Sequence, residues 1–124
     1  MNEYNSYVKK HNATFILVLV PSRIAVDEDM QKATVNSYYN VNGSFFDYDK
    51  PYRLLEEFAR LENITVINLY PLFKKEFQQN RNMYLNGDNH LNDYGHELLA
   101  VEVFNMLLEN GIVIKNGTIK NYRK

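Results

Sequence analysis

Thr14-Phe15-Ile16-Leu17-Val18-Leu19-Val20 is an unbroken apolar run, rich in β-branched residues and closed by Pro21. Seven residues are short for a helix and suit a strand. Continuity of the run, in place of alternation, predicts a strand covered on both faces. A second run, Ile64-Thr65-Val66-Ile67-Asn68, repeats the pattern. Between the two, Pro51 opens a helical stretch, since proline suits a helix's first turn. Leu54, Leu55, Phe58 and Leu61 predict its apolar face, with Glu56, Glu57, Arg60 and Glu62 toward water and Asn63 as the stop. Strands separated by helices pair in parallel through right-handed crossovers. The expected class is therefore α/β with a parallel sheet.

Outward from this frame, Tyr4, Tyr7, Val8 and His11 keep the i, i+3, i+4, i+7 spacing of a helix face, which Asn12 ends. Ile24 to Tyr39 is ambiguous; Asp27 to Lys32 reads as a helix with Ile24, Val26 and Met30 on one side. Asn40 to Asp49 is a loop turning at Asn42-Gly43. Downstream, Leu72, Phe73 and Phe77 mark a short helix, and Gln79 to Asn86 a polar connector. The last helix is expected from Asp93 to Asn110, with Leu98, Leu99, Val103, Met106 and Leu107 inward. Asn110-Gly111 ends it through a left-handed residue. Ile112 to Lys124 reads as a short strand or a hairpin about Asn116-Gly117. Two central strands are too few for a complete doubly wound sheet. Further strands would come from upstream sequence, a second copy of the chain, or Ile112–Ile114.

A chain of 124 residues suggests one domain, and 45% apolar residues with 17 aromatics are enough to bury a core. A formal charge of −1 implies no strong attraction to nucleic acid or to an anionic membrane. Residues 115–124 form a basic tail. The absence of cysteine removes disulfides, thiolate zinc sites and a thiol nucleophile. No apolar run approaches the roughly 18 residues of a membrane span, the first residues are not a signal peptide, and the compartment is left open. The sequons at Asn12, Asn42, Asn63 and Asn116 are what so asparagine-rich a chain contains by chance.

The chemistry concentrates in Asn86-Gly87-Asp88-Asn89-His90-Leu91-Asn92-Asp93-Tyr94-Gly95-His96, which runs directly into the last helix. Asp88 and His90 suit an orienter and a base. A carboxylate that accepts from one imidazole nitrogen fixes the tautomer and frees the other nitrogen to take a proton. An Asx turn describes Gly87-Asp88-Asn89 equally well. Asp93 and His96 read as helix-start residues, Asp93 placed to cap orphan N–H groups. Asp88, His90, Asp93 and His96 together could be ligands to a metal, but His90 and His96 lack the i, i+4 spacing of a helical zinc pair, so no metal and no cofactor is expected.

These residues resemble the last block of the SGNH (GDSL-type) hydrolases, in which Asp and His near the domain's end complete a Ser-His-Asp triad ahead of a helix. The Asp-x-His-x-Asn form resembles the variant in alginate O-acetyltransferase-like SGNH proteins; the usual esterase form has two residues between Asp and His. Thr14–Val20 with Pro21-Ser22-Arg23 resembles a central SGNH strand and its loop, and Ile64–Asn68 with Leu69-Tyr70-Pro71 the last strand. The resemblance runs from about Tyr4 to about Val113 and covers the second half of such a domain. It implies a three-layer αβα, flavodoxin-like fold, incomplete in residues 1–113, with 114–124 as tail or edge hairpin. It also implies ester hydrolysis or O-acyl (acetyl) transfer on a small-molecule or carbohydrate ester, with His90 as base and Asp88 as its orienter.

The family's Gly-Asp-Ser, Gly and Asn blocks are not in this chain. None of its serines, Ser6, Ser22, Ser37 and Ser44, lies in a Gly-Asp-Ser or Gly-x-Ser-x-Gly context. Ser22 is a substitute nucleophile or substrate contact on paper, yet it lacks the glycines of a strained elbow; otherwise it is a turn or cap serine. Arg23 is a candidate for a substrate carboxylate or oxyanion, or else ion-paired. Tyr38, Tyr39, Phe45, Phe46 and Tyr48 would make a carbohydrate-stacking lid or a cover for the sheet edge. The alternative to an enzyme is a non-catalytic α/β module that oligomerises through an open sheet edge.

Overall fold

The computed structural model describes residues 1–38 and 46–112. Among them the fold is mixed α/β, with six helices and a two-stranded parallel sheet. The order is α1 (Asn2–Lys10), β1 (Ile16–Leu19), α2 (Arg23–Val26), α3 (Glu28–Tyr38), α4 (Lys50–Leu61), β2 (Thr65–Asn68), α5 (Tyr70–Gln78) and α6 (Asp93–Glu109). The two apolar runs pair as expected, Ile16 with Thr65 through Leu19 with Asn68. The ladder continues one step further, where the Leu69 N–H donates to the Leu19 carbonyl at 3.0 Å.

Asparagine punctuates the chain. Asn12, Asn63 and Asn80 follow α1, α4 and α5 with φ of 53°, 50° and 59°, and Gly111 follows α6 at 65°. Asparagine tolerates this left-handed region better than other side chains do. The expected stops at Asn12, Asn63 and Asn110-Gly111 thus rest on real backbone reversals.

The core gathers Ala25 and Val26 of α2, Ile67 of β2, and Leu69, Tyr70 and Phe73 at the start of α5, with Met83 and Tyr84 of the following connector. Burying each large apolar side chain here is worth about 1.5–3 kcal/mol. Gln79–Asn86 is therefore not merely a polar connector. Met83 and Tyr84 are almost wholly buried, and the Phe73 and Tyr84 rings meet edge-on at 6.3 Å.

Three expectations need correction. The strands are not covered on both faces: Leu19 and Ile67 are buried, while Val18 remains 37% exposed. α1 does not turn Tyr4 and Tyr7 inward. Both are exposed and Asn5 is buried instead, its side-chain amide donating to the Glu62 carbonyl at 3.3 Å. α4 leaves Leu54 and Leu61 exposed, keeps Leu55 and Phe58 half-buried and buries Ala59 fully. Of the aromatic group, Phe46 stacks near Tyr48 with centroids 6.0 Å apart; Tyr39, Phe45 and the side chain of Tyr38 lie outside the described residues, as does the strand or hairpin expected beyond Ile112.

Candidate functional site

The loop before α6 is built from its backbone upward. Tyr84 and Leu91 form an isolated antiparallel bridge, in which the Leu85 N–H donates to the His90 carbonyl at 2.9 Å. The Asp88 N–H returns to the Leu85 carbonyl at 3.2 Å, and Gly87 takes the left-handed conformation, φ 73°, that closes so tight a turn. The result is a short hairpin with Asp88 and His90 at its tip.

Two asparagines anchor the hairpin's base. Asn82 bonds the Tyr84 N–H through Oδ1 and the Tyr84 carbonyl through Nδ2, at 3.0 and 2.9 Å. Asn92 donates to the carbonyls of Asn82 and Tyr84, at 2.9 and 3.3 Å, and its Oδ1 accepts from the Gly95 N–H at 2.9 Å. Asn92 therefore caps α6, and Asp93, expected as the cap, is the helix's first residue. Gly95 lets the hairpin base and α6 meet. A Cβ on it would lie 2.3 Å from the Met83 carbonyl oxygen.

Tyr84 carries the hairpin to the sheet. Its hydroxyl donates to the Pro21 carbonyl at 2.9 Å, across 63 residues of sequence. Burial pushes this phenol well above its ordinary range, so it stays a protonated donor. Because Pro21 follows β1, the hairpin is fastened at the carboxyl end of the sheet. That is the side on which open parallel sheets place ligands.

At the tip, Asp88 Oδ1 sits 2.7 Å from His90 Nδ1 and also accepts the His90 backbone N–H at 3.2 Å. The carboxylate is thus at once an Asx-turn residue and a hydrogen-bond partner of the ring. The bonds from the His90 ring and backbone hold its carboxyl below the usual range. An ionised Asp88 can only accept, so Nδ1 is the ring nitrogen that donates to it. The His90 side chain is 82% exposed.

The other candidate residues are placed differently. Ser22 is exposed at the N-cap of α2, φ −74° and ψ 158°, with no side-chain cap bond. Arg23 is ion-paired with Asp27, Nε to Oδ2 at 3.1 Å. Asp27 in turn caps α3 by accepting the Met30 N–H at 2.9 Å. His96 lies on the first turn of α6, on the side facing Val18 and Val20. Among the described residues no three His, Cys, Asp or Glu side chains come together to hold a metal.

A second polar group went unread in the sequence. Glu76 is buried on α5, accepts from Arg81 at 2.8 Å and from the Tyr94 hydroxyl, and so ties α5 to the first turn of α6. These bonds, Tyr94's first, hold the Glu76 carboxyl below its ordinary range against the opposing effect of burial. Its role is to brace α6, and hence the loop that α6 follows.

No protein-family model, no curated protein and no solved structure matches this chain.

Proposed function

We propose that the chain carries the His-Asp part of a Ser-His-Asp site of the SGNH type, serving an ester hydrolase or an O-acyl (acetyl) transferase. The observation that carries this reading is the 2.7 Å contact between Asp88 and an exposed His90 on a braced hairpin at the carboxyl end of a parallel sheet. In this reading the two strands belong to a larger three-layer αβα, flavodoxin-like sheet. The serine, with its Gly and Asn oxyanion donors, comes from polypeptide outside these residues.

The steps follow from the geometry of the pair. His90 Nε2 takes the proton of the serine hydroxyl as its oxygen attacks the acyl carbon, and returns it to the departing alkoxide. Asp88 holds the ring through Nδ1 and stabilises the imidazolium that forms between the two transfers. Water as the second acceptor gives hydrolysis; a sugar hydroxyl gives transfer.

Because the nucleophile and the oxyanion donors are elsewhere, the 124-residue chain alone should turn over an acetyl ester such as p-nitrophenyl acetate no faster than free imidazole does. One oxyanion donor alone is worth about 2.7–4 kcal/mol of barrier. The decisive experiment reads the coding DNA before codon 1 and expresses the longest open frame. An in-frame Gly-Asp-Ser block, with esterase activity lost in both His90→Ala and Asp88→Ala, supports the reading. No such block, or activity indifferent to His90, overturns it. Efficient turnover by the 124 residues, abolished by His90→Ala, would overturn the placement of the nucleophile and point to Ser22.

A further inference from the structure

We infer that Asn86 is a site of spontaneous deamidation, a slow covalent modification placed in the turn that closes the Asp88–His90 hairpin. Four Asn-Gly pairs occur in the chain, at Asn42, Asn86, Asn110 and Asn116. The chemistry is intramolecular. The glycine backbone nitrogen, its proton lost to solvent base, bonds to Cγ of the preceding asparagine; the Cγ–Nδ2 bond breaks and ammonia leaves. Water then opens the cyclic imide. Hydrolysis at Cγ gives aspartate, and hydrolysis at the main-chain carbonyl gives isoaspartate. Glycine in second place favours ring closure, because no Cβ crowds the attacking nitrogen and the backbone turns freely. The four pairs are alike in sequence, so the fold decides among them.

Asn86-Gly87 and Asn110-Gly111 lie among the described residues, and they differ. Asn110-Gly111 is held on both sides of the bond that would form. The Asn110 side-chain amide donates to the Met106 carbonyl at 2.7 Å, and the Gly111 N–H donates to the Leu108 carbonyl at 3.0 Å. Both hydrogen bonds must break before the glycine nitrogen can reach Cγ. Asn86-Gly87 is exposed. Among the described residues neither the Asn86 side chain nor the Gly87 N–H has a hydrogen-bond partner. Space does not separate the two pairs, since nothing lies within 4 Å of a Cβ built on either glycine. Hydrogen bonding does.

Position gives the modification its consequence. Asn86 and Gly87 are the central residues of the turn that the Asp88 N–H closes on the Leu85 carbonyl at 3.2 Å. Isoaspartate at 86 carries the main chain through Cβ and Cγ, which adds one carbon inside that turn. The turn must widen, and Asp88 is the residue it displaces. Asp88 meets the His90 ring at 2.7 Å from its present place, so the contact depends on the length of the turn. Either product also sets a new carboxylate close in sequence to that of Asp88, with like charges opposed. The modification stands apart from the catalytic reading. Its effect on catalysis rests on that reading, in which the isoaspartate form parts the base from its orienter.

The test is peptide mapping by mass spectrometry of the 124-residue chain, held in mildly alkaline buffer, both folded and in urea. Cleavage after Arg81 and Lys115 releases one tryptic peptide that contains both pairs. Fragmentation then compares Asn86 with Asn110 in the same molecule, and a zero-time sample subtracts what digestion adds. In the folded chain Asn86 should deamidate about tenfold or more faster than Asn110, the factor that two hydrogen bonds broken before reaction supply. In urea the two rates should converge. Equal rates in the folded chain, or a ratio that unfolding leaves unchanged, would overturn the inference. Hydrogen exchange on the isoaspartate fraction checks the consequence: the Asp88 N–H should exchange faster than in the parent, and an unchanged rate would overturn the link to the hairpin. Neither readout needs ester turnover, so failure of the catalytic reading leaves both standing.

Discussion

Gly95 shows how much one residue can decide. An alanine in the first turn of an exposed helix would ordinarily gain up to about 1 kcal/mol over glycine. Here the added Cβ meets the Met83 carbonyl oxygen at 2.3 Å, a backbone atom that cannot step aside. Gly95→Ala should therefore destabilise the fold by about 2 kcal/mol or more, measured by urea unfolding; a stabilised variant would mean that α6 does not press on the hairpin base. Glu76 makes a pH-dependent prediction. Its carboxyl is depressed below the ordinary 4.5, first by the Tyr94 hydroxyl and then by Arg81. The folded state thus holds its proton less tightly than the unfolded chain. The resulting stability is present above the unfolded value and is lost as pH falls through the folded one. Glu76→Gln should melt at a lower temperature than the parent at neutral pH, and the gap should close as pH falls below the depressed folded-state value. A gap independent of pH would assign the loss to packing. Neither residue stood out in the sequence. Gly95 is one residue of the loop block and Glu76 carries no signal of its own, because both derive their meaning from residues that only the fold brings near.

At the scale of elements, what was legible follows from how local the cause is. β1 and β2 lie within the runs Thr14–Val20 and Ile64–Asn68, because seven or five β-branched and apolar residues between turn signals leave little alternative. The start of α6 was legible from its asparagine-rich approach. The capping residue was misjudged by one, because Asn92 and Asp93 are equally good caps and the extra bonds of Asn92 to Asn82 and Tyr84 settle the choice. The inward faces of α1 and α4 were misread for another reason. Periodicity counts apolar residues, but the buried positions are the polar Asn5 in α1, bonded to the Glu62 carbonyl, and the small Ala59 in α4. The hairpin that carries Asp88 and His90 depends on a bond across 63 residues, from Tyr84 to Pro21, which local pattern cannot reveal. Tyr84→Phe removes that bond and leaves a carbonyl without its partner, at a cost of about 1–3 kcal/mol. Hydrogen exchange in residues 84–92 should quicken beyond the change in the strands. Uniform quickening would mean that the tyrosine stabilises the core without fastening the hairpin.

On the scale of the whole molecule, two features stand out: the Asp88–His90 pair at the tip of a braced hairpin, and a sheet whose β1 edge and α6 flank are left uncovered among the described residues. The spacing of Asp88 and His90 pointed to the pair from sequence alone, and the structure places the two side chains in contact. Ser22 and Arg23 follow β1, as read from the chain, but Arg23 is engaged by Asp27. The central claim is that Asp88 sets His90 as a base through Nε2. Long-range ¹H–¹⁵N correlation of the neutral imidazole tests it most directly, because the two ring nitrogens report which of them carries the proton. The expected spectrum is the Nδ1–H tautomer, lost in Asp88→Ala. An Nε2–H tautomer in the parent chain, or a spectrum that Asp88→Ala leaves unchanged, would contradict the claim.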